Sequence, residues 1–151
     1  MFEAAVAGPT TPRGQLEALA RAYVGYALER RGMFELMWRH DLLDGAAQAS
    51  DQPRLRESTL PLFRHFTGLV ARCLSEREAA RCADGPNEAG PRPEVTAAVL
   101  WSNLHGMAQL WAWGSLQLAL GGPPLGGDPG DDQRDRLITA VLDAHLGPVT
   151  S

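Results

Sequence analysis

The stretch LWSNLHGMAQLWAWG, residues 100–114, sets three tryptophans around a histidine–glycine pair. Its apolar residues recur at helical spacing. With Ser102 at zero and about 100° per residue, Leu100, Leu104, Met107, Ala108, Trp111 and Leu118 gather between about 140° and 240°. Trp101 stands at the edge of that face. The opposite arc holds Ala98, Ser102, His105, Gly106, Gln109, Ala112, Trp113 and Leu116, a mixture of small, polar and large apolar side chains. From Val95 to Leu120 there is no charged residue. A helix without surface charge must be covered nearly all round, and a small bundle cannot easily do that alone. The economical expectation is a second copy of the chain. Ala98, Gln109, Ala112, Trp113 and Leu116 would meet it, joined by Leu137, Val141 and His145 from the last helix. Two helices from each copy would then form a four-helix contact across a two-fold axis, burying at least ~1,000 Å² in total. The alternative is that Asn103 and His105 satisfy each other, or nearby carbonyls, inside a monomer core.

Working outward, every periodic segment has helical spacing and none alternates like a strand. The pattern predicts one all-α domain over residues 1–151, an irregular bundle of five main helices. The first runs from about Pro12 to Arg31, with Thr11 as its cap, Pro12 suited to its first position and Gly32 at its stop. Its buried stripe is Leu16, Leu19, Ala20, Tyr23, Ala27 and Leu28. Gly25 inside that helix costs about 1 kcal/mol relative to alanine and implies a close neighbour. A short second helix spans about Met33–Leu43. The third spans about Pro53–Arg81, with an apolar face from Leu55 to Cys73 and an expected kink at Pro61. The fourth is read as continuous from Pro93 to Leu120, and the fifth as about Asp132–Leu146, stopped by Gly147–Pro148. Residues 83–93 and 121–131, rich in Gly and Pro, are expected to be flexible loops.

Charge excludes one class of function. Fourteen arginines without a lysine face 18 acids, for a net charge of −4. Autonomous DNA-binding domains carry a basic stripe, whereas these arginines are interleaved with acids, as at Glu29–Arg30 and Arg72–Glu76. No apolar run approaches the ~20 residues of a membrane span, and the N-terminus lacks a secretory signal pattern. Cys73 and Cys82 are nine residues apart, about 13 Å along a helix axis, too far for a disulfide within one chain. Reduced thiols and a cytoplasmic location are the expectation.

No enzymatic constellation emerges. His40–Asp41 and Asp143-x-His145 are carboxylate–histidine neighbours without zinc-site spacing. No Gly-x-Ser-x-Gly elbow is present, and GGPPLGG lacks the lysine and spacing of a phosphate loop. The reading is a non-enzyme without metal or cofactor. A ligand site remains open instead. Met37, Phe63, Phe66, Trp101, Met107 and Trp111 are individually core-like residues, but the polar set His65, Asn103 and His105 lies near them, and pockets are mainly apolar with a few convergent polar groups. The candidate lining is Met37, Phe63, His65, Phe66, Trp101, His105 and Trp111. Trp101 and His105, four apart, lie on one side of the helix, and Phe66, Trp101 and His105 are expected to approach a common cavity.

At this point the residues resemble a family. LWSNLHGMAQLWAWG is similar to the Trp–x3–His–Gly signature in a late helix of many TetR-family transcriptional regulators. YVGYALERRGMFELMW resembles an earlier passage of the family, in which a Tyr-containing helix ends before a Phe–x2–Met motif. The helix order over about residues 13–147 is also similar, and FEAAV could end the family's connecting helix. The resemblance implies an effector-binding and dimerisation domain, a homodimer sensing a small apolar or aromatic molecule. Family members begin with a helix-turn-helix domain, and nothing like it precedes FEAAV. DNA contact is therefore expected only through such a domain of a parent protein. The alternative function is a stand-alone helical dimerisation module without ligand.

Overall fold

The computed structural model describes residues 8–37, 55–81, 90–121 and 131–149. Six helices lie among them: α1 (Pro12–Glu29), α2 (Arg31–Met37), α3 (Leu55–Arg81), α4 (Pro93–Ala112), α5 (Ser115–Ala119) and α6 (Asp131–Leu146), with no strand among the described residues. The all-α reading holds.

The helix ends follow local chemistry. Thr11 has extended backbone, and its hydroxyl accepts from the Gly14 amide at 3.1 Å, while Pro12 occupies the first turn, where its missing N–H costs nothing. Glu94 stands in the first turn of α4, near the positive end of the helix dipole. Gly147, at φ 82°, stops α6, its amide bonded to the Asp143 carbonyl at 2.9 Å.

The fourth helix differs from expectation. It is not continuous to Leu120 but ends at Ala112, and Gly114 turns the chain with φ 78° before the short α5. Unbroken apolarity hid the break. A glycine just past a helix end supplies the left-handed conformation that releases the chain. Leu118, placed by the wheel on the inner face, consequently lies on a separate helix and is 66% exposed. Gly25 also departs from expectation, because a Cβ built on it meets nothing within 4 Å. α3 runs through Pro61 as one helix. The second half of the predicted second helix, most of both predicted loops, and Cys82 lie outside the described residues.

α1 is the centre of the bundle, packing on α2, α3, α4 and α6. Leu16 and Val24 of α1, Val70 of α3, Leu100 of α4, and Ile138 and Leu142 of α6 are wholly buried. One partly buried guanidinium ties the two ends of the chain. Arg13 pairs with Asp143 and donates to the carbonyls of Leu142 and Gly147, each at 3.2 Å. Charge-assisted bonds of this kind are about twice as strong as neutral ones. No described helix is long and apolar enough to cross a membrane.

Candidate ligand-binding site

The buried stripe of α1 meets α3 and α4 around a small, partly open cavity of about 30 Å³. Leu19, Ala20 and Tyr23 come from α1, Leu62, Phe63 and Phe66 from α3, and Trp101 and Leu104 from α4. Among the described residues the walls carry no formal charge, and the Tyr23 hydroxyl and Trp101 indole N–H are their only polar side-chain groups.

Those polar groups are joined to one another. Trp101 hydrogen-bonds to the Tyr23 hydroxyl, and since an indole can only donate, the phenolic oxygen accepts. The same hydroxyl lies 2.9 Å from Nδ1 of His105. The Tyr23 hydroxyl therefore joins the indole N–H of Trp101 and Nδ1 of His105 in one hydrogen-bonded row. The ionisation behaviour agrees. Burial pushes the Tyr23 hydroxyl far above its ordinary 10.0, against the opposing hydrogen bond from Trp101. Burial likewise pulls His105 below its ordinary 6.5. Both groups are therefore held uncharged at neutral pH.

Aromatic rings enclose this relay. Phe63 meets Trp101 edge-on with centroids 6.3 Å apart, Trp101 lies 5.6 Å from His105, and His105 stacks on Phe34 of α2 at 5.0 Å. Phe34 then meets Tyr23 edge-on at 5.3 Å. Four helices contribute to one continuous aromatic wall, in separations typical of favourable ring pairs.

Of the candidate ligand residues, Phe63, Phe66 and Trp101 are brought together at the cavity, and His105 stands directly behind Trp101. His65 is exposed and lies off it. Trp111 is buried but lines no part of it, and its carbonyl accepts from Gln117. The side chain of Met37 lies outside the described residues. Leu19, Ala20, Tyr23, Leu62 and Leu104 are the additions. The signal for Tyr23 was present, a lone hydroxyl inside the apolar stripe of α1, facing a bundle whose next helix carries a histidine.

The outer side of α4 is the second site. Val95, Val99, Leu110 and Trp113 are 54%, 44%, 40% and 61% exposed, with Ala98 and Ser102 exposed between them. A Cβ on Gly106, in the middle of this stripe, would meet nothing within 4 Å. α6 borders it, the Asn103 amide and Nε2 of His145 being 2.7 Å apart, with Leu137 and Val141 partly buried against the core. Of the candidate interface residues, Ala98 and Trp113 are exposed, while Gln109, Ala112, Leu116, Leu137, Val141 and His145 are half-buried. The Ala112 carbonyl is already taken by Arg31. The open stripe thus lies further round the helix than the wheel alone placed it, and Val95, Val99 and Leu110 are its unforeseen members.

Among the described residues no cluster of metal-ligating side chains occurs. No curated protein and no solved structure matches the chain. A family match exists for residues 16–144, described as Tetracyclin repressor-like, C-terminal domain, and it spans α1 through α6. With that match over most of its length, the helical order, the cavity between α1, α3 and α4, and the uncovered outer face of α4, the chain belongs to the TetR-like C-terminal domains, the regulatory rather than DNA-reading part of such regulators.

Proposed function

We propose that this domain binds a small, neutral, apolar or aromatic effector in the α1–α3–α4 cavity and forms a homodimer through the outer face of α4 with α6. The carrying observation is the cavity wall, aromatic on three sides and without formal charge among the described residues. An ionic ligand would lose its hydration there without a partner, at a cost of several kcal/mol. A neutral ring would instead stack on Phe63, Phe66 and Trp101. The empty volume of about 30 Å³ has room for about two water molecules, so a ligand must part the rings as it enters. That displacement is the useful feature. A ligand shifts an equilibrium only through different affinity for two states, and moving Trp101 disturbs the bond to Tyr23 and the tilted ring contact with His105. In a parent regulator carrying a helix-turn-helix domain, the altered packing of α1 and α4 would change the spacing of two DNA-reading heads. Such a regulator works in the cytoplasm.

The test is a thermal-shift series with indole and naphthalene against benzoate and benzamidinium, of comparable ring size. The proposal expects stabilisation by the neutral rings alone, reduced at least tenfold in apparent affinity by Phe66→Ala. The small volume of the cavity favours a second reading, a dimerisation module with a filled core. That reading prevails if no neutral ring raises the melting temperature.

A further inference from the structure

A second concavity lies far from the aromatic wall in chemistry and lining. It is a cleft of about 400 Å³ between the start of α1, the last turns of α3 and the tail Gly147–Val149. This is within the ~300–1,000 Å³ typical of small-molecule sites. Its lining is amphipathic. Buried Cys73 and Leu146 give an apolar floor, exposed Ala80, Pro148 and Val149 an apolar rim, while Arg13, Arg77, Arg81 and Glu76 supply charge.

The three arginines are not equivalent. Arg13 is engaged with Asp143, Glu17 and two carbonyls. Arg77 and Arg81, four apart and therefore neighbours on one side of α3, have no ion pair among the described residues. The tail is shaped around one of them. A Cβ at position 147 would come within 3.2 Å of Cζ and 3.3 Å of Nε of Arg77, and Gly147 itself is at φ 82°. Glycine there lets the backbone pass over the guanidinium without displacing it. Cys73 contributes apolar surface and not a thiolate, because burial pushes its thiol up, with Glu76 adding to the effect.

We propose that this cleft binds a monocarboxylate with a short apolar tail, the carboxylate on Arg77 and Arg81 and the tail along Cys73, Leu146 and Val149. A planar guanidinium matches a carboxylate bidentately. Glu76 on the same wall opposes a second negative charge and so selects a monoanion. A cation would face two guanidiniums against one carboxylate. The site is independent of the aromatic cavity, and neither reading needs the other.

Calorimetric titration of the 151-residue chain with octanoate, octan-1-ol and octylammonium tests the assignment. Octanoate is expected to bind at least tenfold more tightly than either other probe. The double variant R77Q/R81Q should weaken octanoate at least tenfold with far-UV circular dichroism unchanged, and R81Q alone should fall between. Absence of octanoate binding, equal binding of octan-1-ol, or undiminished binding in folded R77Q/R81Q would each overturn the proposal.

Discussion

The two long faces of α4 are similarly apolar and have opposite fates. On the inner face, Leu100, Leu104, Met107 and Ala108 are at most 6% exposed, covered by α1 and α3. On the outer face Val95, Val99 and Trp113 are 44–61% exposed. What differs is the supply of neighbours. Among the described residues, helices α1 and α3 lie against one side, while the other is bordered by α6 at its margin. A charge-free surface of that kind marks an interface when it exceeds what solvent tolerates. The polar residues sort in the same way. His105 on the inner side is locked to Tyr23 and stacked on Phe34, whereas Asn103 reaches sideways to His145 at the rim.

The contrast can be broken most forcefully from the inside. Leu100→Ala removes a side chain with no exposed surface, and such truncations cost about 2–5 kcal/mol. Chemical denaturation should show that loss at every protein concentration. Val99→Ala, one residue round the helix, should by contrast cost little in a monomer and make itself felt only through association, as a concentration-dependent melting temperature.

An outer-face charge should divide the two properties. Gly106 has open space where a side chain would project, so Gly106→Arg fits the fold and gains helix propensity. Across a two-fold axis it would set like charges face to face, costing several kcal/mol of association. Sedimentation should show monomers, and circular dichroism an unchanged helix content.

A smaller loss is expected at the polar relay. Tyr23→Phe removes the hydroxyl that bonds Trp101 and His105, and a lost hydrogen bond of this kind costs about 0.5–1.5 kcal/mol. The smallest effect is in pH dependence. The folded pKa of His105 lies below its ordinary 6.5, so the folded state binds the proton less well than the unfolded chain. Its contribution is intact above pH 6.5 and is lost as pH falls through the window beneath that value. Denaturation curves at successive pH values should show this slope, and His105→Asn should flatten it.

Much of this was legible in the residues. The helical class, the Thr11–Pro12 start and the inner stripe of α4 follow from spacing and capping, which are local properties. Phe63, Phe66 and Trp101 meet where two helical stripes each point large rings inward, whereas His105, expected with Phe66 and Trp101 at a common cavity, stands behind Trp101 and does not line it. The outer boundary was not. A helical wheel gives the phase of a face but not the direction from which the next helix arrives. Tyr23 and Phe34 take the His105 side of α4, which rotates the open stripe toward Val99 and Leu110. The break at Gly114 was hidden for a related reason: Trp113 and Leu116 continue the apolarity across it, and only the backbone angle of the glycine reveals the turn.

The most direct test is the mass of the unmodified chain in sedimentation equilibrium at micromolar concentration. If the outer face of α4 is a subunit interface, the mass is twice that of the chain, and it returns to the single value with Gly106→Arg. A monomer at that concentration, with Trp113 fluorescing as a solvent-exposed indole in a Trp38→Phe/Trp101→Phe/Trp111→Phe background, would contradict the account.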